Sequence, residues 1–238
     1  RSYLWDGGAL PFVYGSAMVA LGFRLFVEPP ESPRLFSSSE GGKDSFDNTV
    51  PEAVLGSYAV AGAGLIAVLP TSARYYHLKG YSEAVLTTLA LTEVAKNLVG
   101  RHRPHFQEGD LSDPDHRRSF FSGHASLTAS STLYLGLYLR THIAPRLQDP
   151  RALLYTDVAT LALAGVYFGV PYSRLRDNRH HLSDVLTGSA VGSALAVAFF
   201  AYQESRYQDE REGFYLGKRS NLVLIPDVQN RGFSLLGH

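Results

Sequence analysis

The chain of 238 residues contains no cysteine. Disulfide cross-links and thiolate metal centres are therefore excluded, while the cellular compartment stays open. Net charge is missing too, because 22 lysines and arginines balance 22 aspartates and glutamates. Without an excess of positive charge there is no long-range attraction for a polyanion, and nothing points to nucleic acid. There is no internal repeat, no low-complexity tract and no His-x3-His or His-Glu-x-x-His spacing. The expected metal and cofactor complement is accordingly none. The sequence does not begin with methionine, and no targeting signal can be read from it.

The mean hydropathy of −0.06 argues at first against a chain that crosses a membrane repeatedly. The apolar residues are clustered, however, and uncharged runs extend over 7–23, 53–73, 125–139, 158–173 and 185–203. Only the second and fifth clearly reach the ~18–20 residues of a membrane span; the others need flanking charges to snorkel. A further segment, 84–99, carries Glu93 and Lys96. Together these predict six membrane helices at about 9–27, 53–70, 82–99, 125–142, 152–170 and 185–203. They are rich in small residues that permit close packing in lipid. Glu93 precedes Lys96 by three positions and is expected to pair with it on one helical face. Asp157 has no legible partner and is expected near an interface.

Three separated clusters carry the chemistry. The first runs from Lys96 through Arg103 to Pro104, the second is Ser119-Phe-Phe-Ser122-Gly123-His124, and the third joins Ser173-Arg174 to His180 and Asp184. They supply several cations, two histidines, a carboxylate and a Ser-Gly turn. A metal-free phosphoryl-transfer site needs that inventory: fixed positive charge for the phosphate oxygens, a nucleophile with an orienting partner, and an acid for the leaving oxygen. His180 and Asp184 are four apart, so on a helix the carboxylate can accept the second N–H of the imidazole. Ser122-Gly123-His124 stands before an apolar run and reads as a helix N-terminus, where backbone N–H groups and the helix dipole favour an anion. On the six-helix reading all three clusters emerge on one membrane face.

The clusters resemble the signature of the type 2 phosphatidic acid phosphatase superfamily, Lys-x6-Arg-Pro, (Pro/Tyr/Phe)-Ser-Gly-His and Ser-Arg-x5-His-x3-Asp. The wording of 100–106, 119–126 and 180–188 is most similar to that of its lipid phosphate phosphatases. The similarity runs from about Glu93 to Gly192. It implies an all-α, six-transmembrane-helix bundle of the phosphatase/haloperoxidase type. It also implies that His180 is the nucleophile forming a phosphohistidine, that Asp184 orients it, and that His124 is the general acid. Lys96, Arg103, Ser122, Gly123 and Arg174 would hold the phosphate. His102, His105, His116 and His181 are expected at the rim or behind these residues.

The expected activity is a metal-independent phosphatase acting on lipid phosphate monoesters such as phosphatidate, lysophosphatidate, or sphingoid and ceramide phosphates. An isoprenyl or lipid diphosphate phosphatase is the near alternative. A vanadium-dependent haloperoxidase is a more distant one, since those related enzymes are soluble and larger. The expected partners are a lipid phosphate and the bilayer, with the oligomeric state open. Lysines and arginines are nearly balanced between the two faces. The resemblance therefore places the site on the extracytoplasmic side of a multi-pass protein. The six-span domain is expected over 1–203, with its motifs within 96–184 and a polar tail over 204–238 that holds a short strand near 220–226. Residues 28–52, rich in Pro, Ser, Gly and charge, read as an extracytoplasmic loop.

Overall fold

A computed structural model describes residues 9–37, 47–106, 113–220, 223–227 and 232–236. Among them are six α-helices: α1 (Ala9–Phe26), α2 (Glu52–Val68), α3 (Arg74–Val99), α4 (Gly123–Tyr138), α5 (Pro150–Arg176) and α6 (Leu182–Ser220). A hairpin of β1 (Val223–Asp227) and β2 (Gly232–Leu236) follows. The predicted helices occur in order, but several run longer than their apolar stretches. Helix α3 starts eight residues before the expected 82, because Arg74 to Tyr81 is a polar first part that an apolar-run reading omits. Helix α6 continues through Ser220, well past 203.

The helix ends have identifiable causes. Gly100 ends α3 in the left-handed conformation (φ 64°), which only glycine adopts without strain. The Ser122 hydroxyl accepts the Ala125 N–H and caps α4. Asp149 accepts the Arg151 N–H, and Pro150 occupies the first position of α5. Arg174 and Arg176 fall in the last turn of α5, where cations favour the helix dipole.

Helix α4 lies at the centre, packed chiefly on α6, with α3 against α1 and α6. The buried apolar core joins Leu55 and Ile66 of α2, Tyr81 and Ala84 of α3, Leu127, Tyr134 and Leu135 of α4, and Ala196 and Phe200 of α6. The α4–α6 contact depends on small residues. A Cβ at Gly188 would lie 2.6 Å from the Ser122 carbonyl oxygen, and one at Gly192 would overlap the Ser126 carbonyl. Hydrogen bonds tie both of these helices to α3, Ser126 of α4 to Thr92 at 2.9 Å and Gln203 of α6 to Glu83 at 2.7 Å.

Helices α5 and α6 (to Arg211) are long and apolar enough to cross a membrane by length and composition. Val13–Phe26 and Glu52–Val68 are apolar but shorter. Length and composition therefore support two spans and not the full six expected. Large apolar side chains nonetheless stand outward on α1, α2 and α5, including Met18, Phe26, Val60, Val68, Tyr155, Leu161 and Phe168. Such rows suit lipid better than water.

Candidate active site

The three sequence clusters meet at one end of the bundle. Lys96 projects from the last turn of α3, Gly123 and His124 open α4, Arg174 closes α5, and His180 lies in the short connection to α6. Together with Arg103, these residues line a polar cavity of about 110 Å³ that Asn48, Glu52, Asp115 and Arg179 complete. Six of the eight predicted site residues thus share one space. Ser122 and Asp184 do not reach its wall.

Asp184 lies behind His180, completely buried. Its Oδ1 accepts from Arg101 Nη1 at 2.5 Å, and its Oδ2 accepts from Ser119 Oγ at 2.5 Å and from the His181 N–H at 3.0 Å. Its distance to His180 Nδ1 is 3.7 Å, too long for the direct hydrogen bond that the spacing suggested. Nδ1 instead donates to the backbone carbonyl of Ser119 at 2.8 Å. The consequence for tautomer is the same: with Nδ1 carrying the proton, Nε2 keeps the lone pair. Asp184 acts as a charge held beside the ring. Burial, reinforced by Arg103 and Lys96 and opposed by Asp184, pushes the His180 imidazole down from its ordinary value to about 4. His180 is consequently neutral at physiological pH, as an attacking nitrogen must be.

Ser122 is fully buried, with its hydroxyl occupied in capping α4. That cap and the Ser122 N–H bond to the Asp184 carbonyl at 3.1 Å fix the start of α4 against α6. Gly123 remains at the wall, its Cβ position 3.2 Å from Lys96 Nζ. His124 donates from Nε2 to the Val50 carbonyl at 2.9 Å. Burial, then the charges of Arg174 and Lys96, push it down to about 3.

Each of the three cations expected to hold phosphate has a carboxylate partner. Lys96 Nζ lies 2.9 Å from Glu93 Oε1, as the spacing predicted. Arg103 donates from Nη2 to Asp115 Oδ2 at 2.7 Å and from Nε to the Asp115 carbonyl at 2.8 Å. Arg174 donates from Nη2 to Asp177 at 2.9 Å and from Nη1 to Asn48 at 3.1 Å. Burial opposes ionisation of Asp115, but Arg103, Lys96 and Arg24 prevail and bring it to about 2.

The segment before α2 forms part of the wall. Asp177 accepts from the Thr49 N–H and hydroxyl, Arg179 donates to the Asp47 carbonyl, and Val50 holds His124. Sequence reasoning does not reach Asn48, Asp115 and Asp177, which come to the site from loops or distant parts of the chain; Ser119 and Arg101 stand within the motif clusters, but their contact with Asp184 is not legible there. The four other motif-side histidines lie around this frame. His105 bonds the Asn178 carbonyl and His181 that of His102, for example.

A second, largely apolar cavity of about 430 Å³ adjoins the first between α1, α2, α3 and α4. Leu21, Leu55, Leu86, Leu89 and Leu127 line it, and Glu52, Lys96, Gly123 and His124 belong to both cavities. The pair has the form of an amphiphile's site, cations around one compartment and apolar side chains between the helices around the other.

The chain belongs to the PAP2 superfamily, which its residues 78–208 match. It is 27% identical over 179 residues to phospholipid phosphatase 1 of Mus musculus, across 66% of this chain and 60% of that protein. It is 31% identical to phospholipid phosphatase 2 of Rattus norvegicus, across 48% of each chain. A putative phosphatidate phosphatase of Drosophila melanogaster is 30% identical, across 57% of this chain and 43% of that protein. The chain thus spans only 43–60% of the length of these curated relatives. No solved structure matches it.

Proposed function

We propose that the protein is a multi-pass integral membrane lipid phosphatase that hydrolyses phosphate monoesters through a phosphohistidine at His180. The observation that carries this reading is His180, held at Nδ1 by the Ser119 carbonyl and lining with His124 a cationic cavity that an apolar cavity adjoins. Relatives named phospholipid phosphatase and putative phosphatidate phosphatase support the lipid substrate class.

In the proposed reaction Lys96, Arg103 and Arg174 hold the phosphate oxygens, with the Gly123 N–H at the start of α4. Nε2 of His180 attacks phosphorus in line, the N–P bond forms, and the P–O bond to the lipid breaks. His124 protonates the departing alkoxide, which leaves as the lipid alcohol. It then takes a proton from water as the water attacks the phosphohistidine, releasing phosphate and neutral His180. Asp184 stabilises the positive charge that develops on the ring, and Arg101 and Ser119 hold Asp184 in place. No step needs a metal, and Ser122 supports the helix start instead of touching the substrate.

Six helices in order, with the site residues at one end and outward apolar rows, support six membrane crossings with the site at one face. The extracytoplasmic orientation rests on the family resemblance.

Phosphate release from phosphatidate, lysophosphatidate, sphingoid and ceramide phosphates and isoprenyl diphosphates, measured in detergent, tests the assignment. Lipid monophosphates are expected to be hydrolysed at a rate unaffected by EDTA, and His180→Ala is expected to be inactive while monodisperse. Substantial turnover by folded His180→Ala, or an EDTA loss restored by Mg²⁺, would overturn it.

A further inference from the structure

At the other end of the bundle three side chains from separate elements converge. His77 lies in the first turn of α3, 19 residues from Lys96, or about 28 Å along the helix. His142 lies in a π-helical turn, Leu139–Ile143, that follows α4, and Glu204 is on α6. His77 Nε2 and His142 Nε2 are 2.9 Å apart, and Glu204 Oε2 is 3.1 Å from the first and 2.8 Å from the second. We propose that these three atoms form a binding site for a divalent transition-metal cation, remote from the phosphate-handling residues.

The triangle has the right size. A point about 1.2 Å off its plane lies about 2.1 Å from all three atoms, the usual Zn–N and Zn–O length. The angles subtended there are near 90°, those of one face of an octahedron. Two imidazoles and one carboxylate suit Zn²⁺, Co²⁺, Ni²⁺ or Fe²⁺, whereas Mg²⁺ and Ca²⁺ prefer oxygen donors.

The surroundings orient these atoms as outer partners of a metal site do. His77 Nδ1 lies 3.1 Å from the hydroxyl of Tyr134, itself fully buried, so a proton there aims the Nε2 lone pair at the cluster. Glu204 Oε1 accepts from Gln208 at 2.6 Å, leaving Oε2 for the ion. In that tautomer a single N–H, on His142, serves the cluster, and His77 Nε2 faces Glu204 Oε2 lone pair to lone pair at 3.1 Å. The proton-only alternative has both imidazoles donate to one carboxylate oxygen, which sets two like N–H dipoles 2.9 Å apart. A cation satisfies all three contacts at once.

Access and charge are also accounted for. A cavity of about 170 Å³ reaches His142 and Glu204 and gives water a route to the remaining coordination positions. Arg146 and Arg211 border it and oppose a cation. Arg146 is drawn to the Pro70 carbonyl and Ser72, and Arg211 lies over the Tyr207 ring. The ion would pin α3, the end of α4 and α6 together, so its effect falls on stability and not on hydrolysis.

The test uses the full chain in detergent, freed of any affinity tag, stripped with EDTA, dialysed and given Zn²⁺. Zinc is counted per chain by mass spectrometry after gel filtration, and Tm is followed by scanning fluorimetry. The expected result is about one zinc per chain and a Tm raised by about 5 °C, with no shift from Mg²⁺. His142→Ala and the isosteric Glu204→Gln are expected to lose the bound zinc and the Tm response while keeping the wild-type rate of phosphate release. Less than a tenth of an equivalent of zinc on the wild-type chain, or undiminished zinc on both variants, overturns the proposal. The first outcome needs no variant to fold.

Discussion

Replacing Asp184 by asparagine isolates one charge from the geometry around it. The carboxylate lies 3.7 Å from His180 Nδ1, and both groups are buried. A unit charge pair at that separation interacts by about 4 kcal/mol at an effective dielectric of about 20. This stabilisation is felt only when the ring becomes positive on attacking phosphorus, so its loss raises the barrier and lowers kcat by about a thousandfold. The ring itself should stay in place, because its Nδ1 proton is held by the Ser119 carbonyl at 2.8 Å. Lys96, Arg103 and Arg174 are untouched, and inorganic phosphate should inhibit within threefold of its wild-type constant. Arg101 loses a buried counter-charge, which costs about 3–5 kcal/mol of folding stability. Its contact with Ser183 at 2.6 Å and its stacking over Phe36 remain. The assay is steady-state phosphate release with a lipid phosphate well below the lowered Tm, beside product inhibition on the same monodisperse sample. A kcat within tenfold of wild type would refute the electrostatic role. A parallel collapse of phosphate affinity would show instead that Asp184 shapes the cavity.

His124→Ala should slow a lipid phosphate, whose alkoxide needs a proton, by about 10²–10³, and slow p-nitrophenyl phosphate far less. Equal losses on both substrates would remove the general-acid assignment. The pH profile follows from the direction of the His180 shift. The attacking form is the neutral one, and burial extends its range down to about pH 4. The acid limb of kcat/KM, corrected for substrate ionisation, should therefore have its midpoint near 4, and a midpoint near 6.5 would mean that the ring is solvated in the free protein.

The parts of the site that were legible in the sequence are those whose geometry is local. Lys96 with Glu93, and Gly123 with His124 at a helix start, are fixed by helical spacing, and the structure places them as that spacing demands. Asp184 was legible in position but not in contact: four residues of spacing set it beside His180, while the fold gave the Nδ1 proton to Ser119. Asp115 and Asp177 were invisible because a carboxylate in a loop looks the same whether it meets solvent or a buried arginine. Asn48 reaches Arg174 across 126 positions, and no short pattern encodes such a pairing. Asp157 has no legible partner in the sequence for the same reason, yet Arg140 lies 2.7 Å from it. The long helices were under-read at their ends because apolar runs mark what is buried in lipid or core, and α3 and α6 continue beyond both.

The carboxylates explain how so many cations can stand around so small a space. Lys96, Arg103 and Arg174 are each less than 10% exposed, and each is held by Glu93, Asp115 or Asp177 within 3 Å. Their side chains are ordered by folding, so in the proposed reaction little rotamer entropy would be lost when a phosphate binds. The pairing also leaves the cavity far less positive than its cations alone would make it. An arriving phosphate dianion then becomes the dominant charge near His124. In the free protein burial and neighbouring cations hold that imidazole at about 3, and therefore neutral. Two negative charges beside it act in the opposite direction and favour the imidazolium. If His124 is the acid of the proposed mechanism, it does not stand ready in the free protein: the substrate's own charge would create it, in the one state where a leaving oxygen needs a proton.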